Sequence, residues 1–182
     1  MSTPEFPGLD VSTRVRARDI QLAAVADLRH RILMISGAVD TTDHDVCVGL
    51  TLPAPGRWQV IKAETNLTAQ TWVAMQVVTD ENSTIVADAD TPVLSRQFAQ
   101  VFITPDQRRA TFYGGEVRPG EALLKMYTLE AGGTEPTYTY SQYSPVAADT
   151  PEQSARTLDQ IVADGMRPRP VVELVVPLTI VG

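Results

Sequence analysis

Residues able to do chemistry are thinly spread along this chain. His30 and His44 are its two histidines, and neither belongs to the His-x-x-x-His or His-Glu-x-x-His spacing that sets two imidazoles on one helix face for a metal. No Gly-x-Ser-x-Gly elbow offers a serine nucleophile. Gly114-Gly115 and Gly132-Gly133 lack the spacing and the Lys-Ser/Thr pair of a phosphate cradle. Glu116, Glu121 and Glu130 are acids of the kind a glycoside hydrolase pairs across a cleft, but they fall near turns and strand ends. The densest run of hard oxygen ligands is the loop from Asp40 to Asp45, where Asp40, Asp43 and Asp45 could ligate calcium. That loop has neither the glycine nor the terminal glutamate of an EF-hand, and Asp and Thr also build plain turns. The expectation is no catalytic residue and no cofactor, with these three aspartates as the metal candidate.

Side chains suited to contact are better represented. Arg14, Arg16 and Arg18 alternate with Val15 and Ala17, so an extended segment puts three guanidiniums on one side. They would guard an edge strand or bridge to an acidic neighbour. Tyr138 and Tyr140 share one face of a strand and Tyr143 points to the other; tyrosines on a surface suit a protein interface and could also stack on a sugar. The tail from Val171 to Val181 is interrupted only by Glu173, Pro177 and Thr179. So apolar a strand must be covered, either in its own sheet or in a neighbour's. Leu174, Val176, Leu178 and Ile180 join Arg14, Arg16, Arg18, Tyr138 and Tyr140 as the expected interface residues.

A chain of 182 residues, 43% hydrophobic, buries one good core and leaves length for arms. Its net charge of −7 argues against a nucleic-acid binder, which needs clustered Lys and Arg. Cys47 is the single cysteine; no intrachain disulfide is possible, and between Val46 and Val48 it reads as a small strand residue. The N-terminus lacks the basic-then-apolar profile of a signal peptide, implying cytoplasmic synthesis. The apolar tail is too short and too broken to span a membrane.

The elements that must position these residues are strands. Ile20, Leu22, Ala24 and Ala26 alternate, as do Val46, Val48 and Leu50, and further strands are expected over 32–35, 58–63, 71–78, 84–86, 98–104, 109–113, 121–129 and 137–143. Ala122, Leu124 and Met126 alternate with Lys125 and Tyr127, a half-buried strand. Asp80 to Ser83 reads as a polar hairpin turn between two strands. Short strands with regular turn signals indicate a sandwich, with Val46, Val48, Leu50, Trp58 and Trp72 in its core. One helix is marked: Thr150 caps it, Pro151 opens it, Ala155, Leu158, Ile161 and Val162 make its apolar face, and Gly165 ends it. The division expected is an N-terminal arm and first strand over 1–30, the sandwich over 31–145, and helix plus tail over 146–182.

The succession Phe102-Ile103-Thr104-Pro105-Asp106, the Arg118-Pro119-Gly120 turn and Leu129-Glu130-Ala131-Gly132 running into a Thr/Tyr-rich exit resembles the carbohydrate-binding-module-like jelly-roll domains of bacteriophage virion proteins. The resemblance spans residues 32–143. It implies an all-β jelly-roll β-sandwich with arms and a non-enzymatic structural protein of a tailed-phage virion. In the head it would be a capsid decoration or cement protein bound to the major capsid protein or another virion protein, oligomeric with itself, and located in the virion. The alternative is a tail-fibre or receptor-binding module for host surface polysaccharide. Neither role involves nucleic acid or membrane.

Overall fold

The computed structural model describes residues 14–15, 20–41, 45–88, 90–132, 136–144, 171–176 and 178–182, and every regular element within them is a strand. The expected helix at 150–165, the arm before residue 14, Arg16, Arg18 and Asp43 lie outside those residues. In chain order the strands are β1 (Arg14–Val15), β2 (Ile20–Asp27), β3 (Ile32–Val39), β4 (Asp45–Leu50), β5 (Gly56–Asn66), β6 (Trp72–Thr79) and β7 (Ser83–Val86). They continue as β8 (Leu94–Ser95), β9 (Phe98–Ile103), β10 (Arg109–Val117), β11 (Ala122–Ala131), β12 (Thr137–Ser144), β13 (Val171–Val175) and β14 (Leu178–Val181). One sheet runs β1-β13-β4-β12-β6-β10-β9 and the other β14-β2-β3-β5-β11-β7, with β8 also paired to β11. The two pack face to face as a β-sandwich.

Period-two alternation sets the packing. On β5 it turns Trp58 and Val60 inward, and on β4 Val46 and Val48; with Leu50 and Trp72 these expected core residues are all buried. On β11 the phase is the reverse of the expected one. Leu123, Lys125, Tyr127 and Leu129 point inward and are buried, whereas Ala122 is exposed and Leu124 and Met126 are half-buried on the outside. Ranking residues by hydrophobicity fails here because the outer face of that sheet is itself apolar and the inner face carries charge. The Asp80–Ser83 turn is not a hairpin either. It carries the chain from β6 in one sheet to β7 in the other, with the Asp80 carboxylate accepting from Asn82 N, Ser83 Oγ and Tyr138 N at 2.8–3.0 Å.

The flanks of the chain belong to the same sandwich. Ala24 and Ala26 of β2 and Val176 beyond β13 share one core with Trp58, Phe112 and Leu129. The tail takes the own-sheet option: β13 lies parallel to β4, Val176 N donates to Gly49 O at 2.9 Å, and past Pro177 β14 lies parallel to β2 in the opposite sheet. Leu28 N then donates to Val181 O at 2.9 Å. One short tail thus adds a strand to each sheet. Close backbone approach elsewhere is met by glycine. A Cβ on Gly37 of β3 would sit 1.7 Å from the Gln21 carbonyl oxygen, a separation no side chain tolerates.

Candidate functional site

The chemically richest place in the molecule is inside it. Following Trp58 and Val60 on the inner face of β5, the period of two delivers Lys62 and Glu64 to the space between the sheets, and β11 places Lys125 directly opposite Lys62. Two like charges opposed across a strand pair repel, so the arrangement needs its anion. Glu64 supplies it: Lys125 Nζ lies 2.8 Å from Oε1 and Lys62 Nζ 3.6 Å from Oε2. From the facing sheet the Tyr143 hydroxyl donates to Glu64 Oε2. The Tyr143 ring stacks at 4.2 Å on Trp72, and Lys125 Nζ also reaches Met75 Sδ at 3.5 Å. Lys62, Glu64 and Lys125 are no more than 2% exposed.

Electrostatics in this pocket follow from burial and neighbours. Burial alone would raise the Glu64 carboxyl, but the ammoniums of Lys125 and Lys62, with bonds from Lys125 and Tyr143, outweigh it and bring the pKa down to about 2. Burial pulls Lys125 down to about 8; Glu64 resists the fall and Lys62 adds to it. Burial, reinforced by the Glu64 charge, raises the phenols of Tyr127 and Tyr143. An amine titrating near 8 beside a carboxylate and a phenol is a set that could move protons. With the cluster sealed from solvent, its action in this structure is to tie β5 and β11 to β12 across the sandwich.

The period-two pattern on β5 was the signal that could have found Lys62 and Glu64; a strand ended at Ala63 cuts it one residue too early. Another buried polar residue, Asn66, is fully engaged, donating to Gln70 O and Val117 O and accepting from Thr68 N and Oγ1 at 2.6–3.1 Å.

The residues singled out in the sequence are not gathered at one place. Tyr138 and Tyr140 do share a face, opposite to Tyr143. They are 8% and 1% exposed, packed with Cys47 and Val78 as a second apolar cluster on the outer side of their sheet. Gly49 makes room for Tyr138, since a Cβ there would lie 2.5 Å from the ring. Val176, expected at an intermolecular contact, is 2% exposed in the main core, because its backbone bond to Gly49 holds the tail down before it crosses between sheets. Leu174 sits in β13, Leu178 is half-buried against the core, and Ile180 is 55% exposed on β14, which no described strand covers on its outer side. Arg14 begins β1 beside β13. Asp40 is half-buried just past β3 and Thr41 beside it is buried; of the other expected calcium ligands, Asp43 lies outside the described residues and Asp45 is described only in its backbone. Glu116 pairs with Arg118 at 3.0 Å on the surface, and Glu130 is exposed on the far side of β11, so these acids do not meet across a cleft.

Residues 22–182 match the model of a family of unknown function, DUF6423. No curated protein and no solved structure matches significantly. The chain belongs to that family.

Proposed function

We propose that this protein is a non-enzymatic structural component of a tailed-phage virion, a capsid decoration or cement protein that bridges neighbouring subunits. The observation that carries the bridging role is β14. Among the described strands it ends its sheet as the edge, without a charged residue, with Ile180 55% and Val181 46% exposed. Monomeric proteins blunt such edges with charge, proline or a covering loop, because an open row of N–H and C=O groups templates another strand. The virion assignment rests on the resemblance stated above. The strand order supports its jelly-roll form. Counting eight strands from β4 to β12, with β8 and β9 as the two halves of the fifth, the sheets contain the first-eighth-third-sixth and second-seventh-fourth sequences of two interlocked Greek keys.

The test is sedimentation of the purified chain with empty capsids and, separately, with host cell envelopes. Capsid binding that is lost in Ile180→Lys, a change at an exposed position that leaves the core intact, is the expected result. Envelope binding without capsid binding overturns the decoration role in favour of receptor recognition.

A further inference from the structure

The outer face of the β2-β3-β5-β11 sheet carries a second apolar surface. Cross-strand register puts Val25 opposite Met34, Met34 opposite Ile61, Ile61 opposite Met126, and Met126 opposite Leu94 of β8. Directly opposed residues project to the same side of a sheet, and the sequence neighbours Leu33, Val60 and Lys125 are turned into the core, so this row of five lies on the outside. Met34 is 49%, Leu94 46% and Ile61 37% exposed; Val25 and Met126 are half-buried. Across this row and the two rows that flank it on β2, β3, β5 and β11, Asp27 is the one ionisable side chain, and His30 holds it at 2.8 Å.

We propose that this face is a twofold interface between two copies of the chain. The row is a near-palindrome about Ile61, with a methionine on each side and a branched aliphatic residue beyond each methionine. A twofold axis lying in the interface along β5 sets Ile61 on its own copy, Met34 on Met126 of the other copy and Val25 on Leu94 of the other copy. Each contact off the axis then occurs twice, as an isologous interface requires. Charge permits the same occupant. Two chains of net charge −7 repel, and a face almost free of charge lets them meet without opposing like groups. The area suffices: strands at ~4.8 Å spacing and three rows of residues give on the order of 500 Å² on each copy, about 1,000 Å² for the pair, where specific interfaces begin. Methionine suits the role, since its unbranched thioether adapts to an opposing copy.

Sedimentation velocity of the full chain over a concentration series tests this. The wild type is expected to dimerise. Met34→Glu alone and Met126→Lys alone each raise the dimer dissociation constant on the order of 100-fold, while an equimolar mixture of the two recovers a heterodimer, because the acid of one copy faces the base of the other. The reversed pair, Met34→Lys with Met126→Glu, behaves alike, and near-ultraviolet dichroism matching the wild type's shows that each variant folds. A wild type that stays monomeric, single variants that still dimerise, or a mixture no tighter than its components overturns the proposal. A monomer whose capsid binding is lost in Met34→Glu would assign this face to the lattice instead, overturning the second copy as occupant while leaving the decoration role standing.

Discussion

Glu64 is outnumbered by the ammoniums it serves, and that asymmetry decides how its neighbourhood responds to change. Removing one lysine leaves a one-to-one ion pair; removing the carboxylate leaves two cations facing each other in the core. Glu64→Gln is therefore expected to destabilise by ~3–5 kcal/mol, the range for a buried charge stripped of its partner. Lys125→Met, similar in length and next to Met75, should change stability by less than about 1–2 kcal/mol. Urea melts of both variants check this, and equal losses would show that the cluster is not organised around Glu64. The pH profile carries the same signature. Glu64 falls from an ordinary 4.5 to about 2 on folding, so its contribution is complete above pH 4.5 and is lost as pH drops toward 2. Lys125 falls from 10.5 to about 8, so above pH 8 the unfolded chain binds more protons than the native one and stability rises with pH. Beyond pH 10 the sign reverses, because the raised phenols of Tyr127 and Tyr143 ionise first in the unfolded chain. In Lys125→Met the rise above pH 8 should vanish.

At the level of elements, the tail is the part whose role differs most between pattern and structure. Its apolar run announces that β13 and β14 will be covered, but nothing local says by what, since pairing with β4 and β2 is fixed by residues more than a hundred positions away. The same limit explains β11: alternation gives a strand, yet its phase depends on which face meets the other sheet, and Met126 on an apolar outer face is indistinguishable in sequence from a core residue. Strands such as β4, with apolar residues on one phase and a turn on each side, were legible in full. With both tail strands inside the sandwich, truncation after Pro170 is expected to abolish the near-ultraviolet dichroism contributed by Trp58 and Trp72, instead of yielding a folded core lacking an arm. Point variants separate the two strands: Val176→Ala should cost about 2 kcal/mol, as a buried aliphatic truncation does, and Ile180→Ala less than about 0.5 kcal/mol as a surface change. A truncated chain that keeps its dichroism would return the tail to the status of an arm.

For the whole molecule, one core joins segments that the sequence divides into arm, sandwich and tail. Ala24 and Ala26 near one end, Val176 near the other and Trp58, Trp72 and Phe112 between them form a single cluster, and the buried Lys62-Glu64-Lys125 cluster is bonded to Tyr143 on the opposite sheet. The second cluster, Cys47, Val78, Tyr138 and Tyr140, lies on β4, β6 and β12, strands that also line this core, so it gives no group of strands a core of its own. Heat unfolding should then be one transition, with calorimetric and van't Hoff enthalpies equal. The pairings are mostly long-range, including the parallel β3-β5, β4-β13 and β2-β14 contacts, so loop closure precedes most of the stabilisation and refolding should be slow for the chain's size, in milliseconds to seconds. Dimerisation through the Ile61 face would add a concentration dependence to the midpoint, which Met34→Glu removes without splitting the transition. Two resolved transitions in that monomeric variant would mean that β2 and the tail strands unfold apart from the rest, and that the shared core is two cores in contact.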